Sequence, residues 1–292
     1  EIQKILRELT ELISSYRWLI LAYNNGLHEL DFINAKYRLA RDMDGYKPRL
    51  TKEKQIACKK SIHPLLRKKN SLEKKPTYGQ DIELNEAQRM LVISGPNAGG
   101  KSITLKTLGL LQMMVQSGFF VSTDWENSFY IFDRILSEIG DNQSIENELS
   151  TYSYRLQRIQ TFLSVCNSNT LLLLDEFGTG SDPDLGGALA EAFFESFYQK
   201  EVFTVLTTHY NNIKSKAMEL PHAINGCMLF NPDDLKPLFE FQTGSPGSSF
   251  TFEVAKNNGI PIKILNEAKK KLDKDKLKFN ALLTDLQRKT NR

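Results

Sequence analysis

Apolar positions along the chain recur with two rhythms. Over the first stretch of about 45 residues, Ile2, Ile5, Leu6, Leu9 and Ile13, then Leu27, Leu30, Ile33 and Tyr37, return at the spacing of one helix face. Asn24-Asn25-Gly26 interrupts the series and predicts a hairpin turn between two helices. Lys47-Pro48-Arg49 closes this part. Residues 50–80 carry charge, His63-Pro64 and Pro76 with weak periodicity, which predicts short strands and loops.

From Arg89 the rhythm changes to short apolar runs separated by helical stretches. Met90-Leu91-Val92-Ile93, Tyr130-Ile131-Phe132, Leu171 to Leu174 and Val202 to Leu206 predict buried strands. Ile103 to Gln116, Tyr152 to Val165 and Leu185 to Tyr198 predict helices between them. This alternation predicts an α/β fold around a mostly parallel sheet. After Pro261, Ile262 to Leu286 return to a charged helical pattern with little core. The expected organisation is a helical segment over 1–48, an α/β domain over 49–268 and a charged helical tail over 269–292.

Composition narrows the class. With 292 residues, 40% apolar and 25% charged, the chain has material for a sizeable core and is neither disordered, fibrous nor a disulfide-stapled mini-protein. The longest apolar run, Trp18 to Tyr23, falls far short of the roughly 18–20 residues that span a bilayer. Glu1 to Arg7 does not read as a signal peptide, and a first residue other than Met suggests an excised piece. Cys58, Cys166 and Cys227 are widely spaced and form no CxxC pair, which favours free thiols in a reducing compartment. The expected location is cytoplasmic, with no membrane association. Net charge is only +3, yet basic residues dominate from Lys36 to Lys75 and again after Ala268. Such stretches serve as solvated faces or as surfaces for a polyanion.

Gly95-Pro96-Asn97-Ala98-Gly99-Gly100-Lys101-Ser102 matches G-x-x-x-x-G-K-[ST] directly after an apolar strand and directly before a helix opening at Ile103. Backbone N–H groups in such a loop turn inward around a phosphate, and the helix N-terminus adds partial positive charge. Lys101 brings a full charge to the β- and γ-phosphates, and the Ser102 hydroxyl suits Mg²⁺. About 75 residues later, four leucines end in Asp175-Glu176. A buried strand delivers Asp175 to the sheet's carboxyl edge, beside the phosphate loop, where it supports the metal. Glu176 is then placed to orient or deprotonate an attacking water. Thr207-Thr208-His209 ends another strand at the same edge, where His209 can contact the γ-phosphate. His28 and His222 lack such context. Asp182 reads as a helix N-cap with Pro183 at the first position, and Ser150 as the cap of the helix that follows it.

Together, GPNAGGKSITLKTLGLL, IGDNQSIENELSTYSYRLQRI, LLLLDEFGTGSDPDLGGALA and TTHYNNIKSKA resemble the ATPase domain of the MutS family of DNA mismatch-repair proteins. The likeness is greatest to its second bacterial branch, whose longer members carry a C-terminal Smr domain. GSPGSSFTFEVAKNNGIP resembles that family's stretch after the last strands, and LDFINAKYRLA the end of its helical core, so the resemblance spans most of residues 25–270. It implies a P-loop, ABC-type ATPase using ATP and Mg²⁺ and working as a homodimer with nucleotides between protomers. By position it gives the phosphate loop with Lys101 and Ser102 to nucleotide and metal, Asp175 to the metal and Glu176 to water activation. Ser150-Thr151 would face the partner's nucleotide, His209 would be the switch histidine, and Asp182 would lie in the loop crossing the interface. His63 would lie near the base, although Ile62 stands where relatives often have Arg. Asp141 and Gln143 fit the linker between site and lever.

The resemblance makes DNA the expected polyanion, with the ribosome as an alternative partner in the same branch. The stretch shows no mismatch-reading domain and no Smr domain, so mismatch preference and nuclease activity are not expected of this chain. A small-molecule kinase fits less well, because no arginine-rich lid is apparent and Asp175-Glu176 suits water as nucleophile. A purely structural ATP-binding module is disfavoured by the intact Glu176.

Overall fold

The computed structural model describes residues 1–96, 99–140, 151–180, 182–231, 236–248 and 250–271. The chain divides into two compact units, Glu1–Gly45 and Tyr46–Arg292. In the first, α1 (Ile2–Ser14) is followed by α2 (Arg17–Asp42). The break between them falls at Ser15-Tyr16, and the turn expected at Asn24-Asn25-Gly26 is absent, because those residues lie inside α2. A glycine inside a helix costs only about 1 kcal/mol, too little to break a helix of 26 residues. At the real break the Ser14 and Ser15 hydroxyls donate to the carbonyls of Glu11 and Leu12 at 2.8 and 2.9 Å. Such local bonds compete with the helical ladder. The apolar stripe of α1 is present but buries no residue.

The second unit contains two sheets. The smaller is antiparallel, in the order β2 (Gln80–Leu84), β1 (Ile56–Ser61), β4 (Asn127–Phe129). Between β1 and β2 stands α3 (Pro64–Leu72), a helix where strands and loops were expected. Pro64 at its first turn presets a helical φ, while the helix buries no residue and so shows no apolar stripe.

The larger sheet has six strands in the order β5 (Arg134–Glu138), β6 (Thr170–Leu174), β7 (Phe203–Thr207), β3 (Met90–Ser94), β8 (Ala223–Phe230), β9 (Pro237–Thr243). The first five run parallel, and β9 pairs antiparallel with β8. Successive side chains along a strand point to opposite faces, so a strand covered on both sides reads as an unbroken apolar run. Leu91, Ile93, Leu171, Leu173 and Val205 pack on one face with Leu105, Leu108 and Leu111 of α4 (Lys101–Gln116) and with Ile56 and Leu84 of the small sheet. Met90, Val92, Leu172, Leu174 and Leu206 pack on the other. Their partners there are α5 (Thr151–Val165), α6 (Pro183–Gln199) and α7 (Asn211–Glu219). The chain continues into α8 (Thr251–Asn257) and α9 (Ile262–Lys271), so most of the expected tail lies outside the described residues.

Tyr130-Ile131-Phe132 is not a strand, contrary to its apolar pattern. It links β4 to β5, and Phe132 is apolar because it packs in the core beneath the link. Its carbonyls are satisfied by side chains of α4: Gln112 donates to Tyr130 O at 2.8 Å and Gln116 to Phe132 O at 3.1 Å. Two glutamines replace a strand partner there.

Candidate functional site

Parallel strands bring their carboxyl ends to one edge, and the expected chemistry gathers there. The loop after β3 turns at Gly95, whose φ of +127° is in the range that favours glycine. Gly99 N–H donates to Pro96 O at 3.0 Å, and Gly100 caps α4 at φ +102°. Asn97 and Ala98 lie outside the described residues, as do Ser150, Asp141 and Gln143. Ile103 follows in the first turn of α4, half-buried.

Lys101 is buried and donates from Nζ to the carbonyls of Gly95 at 2.8 Å and Pro96 at 3.0 Å. Burial pushes its ammonium down to about 8, against the opposing pull of Glu176 and Asp175. Next along, Ser102 Oγ donates to Asp175 Oδ1 at 2.9 Å. The strand carrying Asp175 is separated from the loop strand by β7, and that intervening strand supplies the connection. Thr207 Oγ1 donates to the same Asp175 Oδ1 at 2.6 Å while accepting from Glu176 N–H at 2.8 Å.

One hydroxyl therefore holds both acidic residues. Glu176 sits in left-handed backbone, φ +49°, a conformation that costs a non-glycine residue about 1 kcal/mol or more. The surroundings fix it there. Its carbonyl accepts from Thr179 N–H at 3.1 Å and Thr179 Oγ1 at 2.8 Å, and Arg155 of α5 donates to Thr179 Oγ1 at 2.7 Å. The Glu176 side chain is exposed at the mouth of the site. Asp182 caps α6, accepting from Asp184 and Leu185 N–H groups, each at 3.0 Å.

His209 lies half-buried past the end of β7, held down to about 4 by burial and then by the charges of Lys101 and Lys214, with Asp175 opposing. It is therefore a neutral imidazole at neutral pH. His63 caps α3, its ring near Lys106 of α4, and burial followed by that lysine lowers its pKa. Its buried Nδ1 has no hydrogen-bond partner among the described residues.

Three residues outside the expected set belong to this edge. Lys214 of α7 is buried, donates from Nζ to Asn211 Oδ1 and Gly247 O, both at 3.2 Å, and is pushed down to about 8 by burial and by Lys101. Gly247 N–H donates to Ser94 Oγ at 2.7 Å, at the start of the phosphate loop. A Cβ on Gly247 would stand 2.9 Å from Gly95 N, so the close approach needs glycine. The partners are far apart in sequence, and no local pattern marks their meeting.

The residues present fit a nucleotide phosphate with its metal. Two buried lysines lie at the edge, one of them opposed by Glu176 and Asp175, the loop leads into the N-terminus of α4, and a Ser–Asp oxygen pair suits a hard cation.

A family model for MutS domain V matches residues 91–276, well over half of the chain. The chain belongs to the MutS family. MutS domain V is that family's phosphate-loop ATPase domain, and the mostly parallel six-stranded sheet agrees with it. Among similar curated MutS proteins is Endonuclease MutS2 of Lactiplantibacillus plantarum, 38% identical over 286 residues, covering 98% of this chain and 36% of the relative. Endonuclease MutS2 of Alkaliphilus metalliredigens is 39% identical over 288 residues, 99% of this chain and 36% of the relative. That of Finegoldia magna is 37% identical over 289 residues, again 99% and 36%. The chain thus spans about a third of the length of these MutS2 relatives.

Proposed function

We propose that this chain binds ATP with Mg²⁺ and hydrolyses it, as the engine of a larger MutS2-like DNA-binding protein. The observation that carries the reading is the shared contact at Thr207. One hydroxyl ties the Ser102–Asp175 pair to the backbone that aims Glu176. In this reading Gly95, Pro96, Asn97, Ala98, Gly99 and Gly100 cradle the phosphates, Lys101 neutralises them, and Ser102 with Asp175 holds Mg²⁺. Mg²⁺ held there would offset the negative charge that develops on the phosphates as ADP leaves. Glu176 takes the proton from water, and His209, neutral, donates or accepts a hydrogen bond at the γ-phosphate. His63, with its unpartnered Nδ1, lies toward the base. Hydrolysis of ATP, rather than cleavage of nucleic acid, is the activity proposed for this chain, because both carboxylates converge on the phosphate loop. Residues 49–268 form the engine, preceded by the helical segment 1–48 and followed by the tail 269–292. A cytoplasmic location accords with the proposed role; among the described residues no helix is long and apolar enough to cross a membrane.

The site is proposed to be composite, with Ser150 of one protomer facing the other protomer's nucleotide in a homodimer. Chains carrying Ser150→Arg or Lys101→Ala should each be nearly inactive. If the two sites fire independently, mixing them restores part of the turnover, because one intact site forms in each mixed dimer. Sites that must fire together give no rescue, so wild-type turnover is followed on dilution as well. Specific activity that stays flat through a demonstrated monomer–dimer transition contradicts the composite site. DNA binding is supported by the basic stretch Lys36 to Lys75. Affinity for homoduplex DNA should be weak, fall steeply with salt as counterions are released, and show no preference for mismatched duplex. Salt-insensitive binding overturns that assignment, as does a clear mismatch preference.

A further inference from the structure

The amino ends of the same parallel strands form a second collection of polar groups. Arg89 precedes β3, Ser168 precedes β6, Glu201 precedes β7 and His222 precedes β8. β3, β6 and β7 are each five residues long, and at roughly 3.3 Å per residue this edge lies about 15 Å from the phosphate loop. Together with Lys54 and Glu86 they line a recess of ≈ 280 Å³.

Arg89 is the unusual member, because it is only 8% exposed and pairs with no carboxylate among the described residues. Its guanidinium donates to Tyr198 O at 3.3 Å and stacks on the Tyr198 ring at 4.9 Å, while Nε is buried without an acceptor among the described residues. A buried cation without a counter-charge is costly, and chains usually neutralise it. The neighbouring donors do not. Lys54 Nζ donates to Ser168 Oγ at 3.2 Å, and His222 Nδ1 faces Ala87 O at 3.3 Å, which requires Nδ1 to carry the proton. Among the described residues, these three basic side chains of the recess hydrogen-bond only to neutral groups.

Glu86 and Glu201 line it too and repel a continuous polyanion, which favours a compact ligand over a nucleic-acid strand. We propose that this recess is a second ligand site, for a small molecule presenting one carboxylate or phosphate to Arg89 and Lys54 and a hydrogen-bond donor to Glu86 and Glu201. It is separate from the nucleotide site and does not depend on ATP hydrolysis.

The test uses the full chain carrying Lys101→Ala, so that the phosphate loop contributes little anion binding. Inorganic phosphate and acetate are titrated at constant ionic strength against chloride, with amide cross-peaks followed by NMR. Saturable shifts should centre on Arg89, Ser168 and His222 rather than on Gly95 to Ser102. Binding of phosphate alone identifies a phosphorylated ligand, and binding of acetate alone a carboxylate. Adding Arg89→Gln should weaken the bound anion at least about tenfold, the scale of a lost charged hydrogen bond. Lys54→Ala, which removes a side chain at the rim, should weaken it measurably without disturbing the fold. The proposal is overturned if neither anion binds saturably, if shifts centre on the phosphate loop, or if Lys54→Ala leaves affinity unchanged.

Discussion

His209 illustrates how the charges of the site act on a single side chain. Burial and two nearby lysines hold it at about 4 against an ordinary 6.5. Between those values the unfolded chain binds a proton that the folded chain refuses. Folding stability therefore falls as pH drops from about 6.5 toward 4, and is unaffected by this group above that window. Replacing His209 by Gln removes the effect. Denaturant unfolding without nucleotide, at pH 7 and pH 5, should show the parent losing more stability than His209→Gln. Equal losses would mean that burial and the nearby lysines do not lower this histidine. At this scale the sequence was informative where chemistry is local. Asp175, Glu176 and His209 follow strand ends, Lys101 and Ser102 open the helix after β3, and strand order brings the two groups to one edge. Thr207 as the shared clamp was not legible, because a threonine ending a strand carries no mark of what its hydroxyl touches. Lys214, Gly247 and Ser94 meet from positions as much as 153 residues apart, which no local pattern encodes.

Among the elements, α4 lies closely on the sheet because of a missing side chain. A Cβ on Gly109 would stand 2.5 Å from Leu173 Cδ1, and Leu173 is itself buried in the core face beneath the helix. Alanine improves helix propensity by up to about 1 kcal/mol, but overpacking a filled core costs about 1–3 kcal/mol. Gly109→Ala should therefore destabilise the chain by about 1–2 kcal/mol. Gly26 inside α2 meets nothing within 4 Å, so Gly26→Ala should stabilise by up to about 1 kcal/mol. Chemical denaturation of both variants decides the pair, and a matching sign for the two would refute the packing argument. The same reasoning explains the misread elements. Gly26 looked like a turn because glycine and asparagine favour turns, yet nothing in the surroundings makes the chain leave the helix. Tyr130 to Phe132 looked like a strand because burial under a loop imposes the same apolar composition. The α3 helix went unseen because it buries nothing, β8 because its buried residues are consecutive rather than alternating, and β9 because none of its residues is fully buried.

For the molecule as a whole, a doubly covered, mostly parallel sheet places the phosphate loop, the Ser102–Asp175 oxygen pair and the candidate base at one edge. Its opposite edge holds the recess around Arg89. That layout was readable from the strand–helix alternation, since parallel strands with helices on both faces leave only their ends for chemistry. The central claim is that Glu176, held by Thr207, activates the water that attacks ATP. The most direct measurement compares ATP affinity and ATP turnover in the parent and in Glu176→Ala. Affinity should be nearly unchanged, while turnover falls by about 10² or more, the usual scale for losing a general base. Equal turnover in the two proteins would contradict the account.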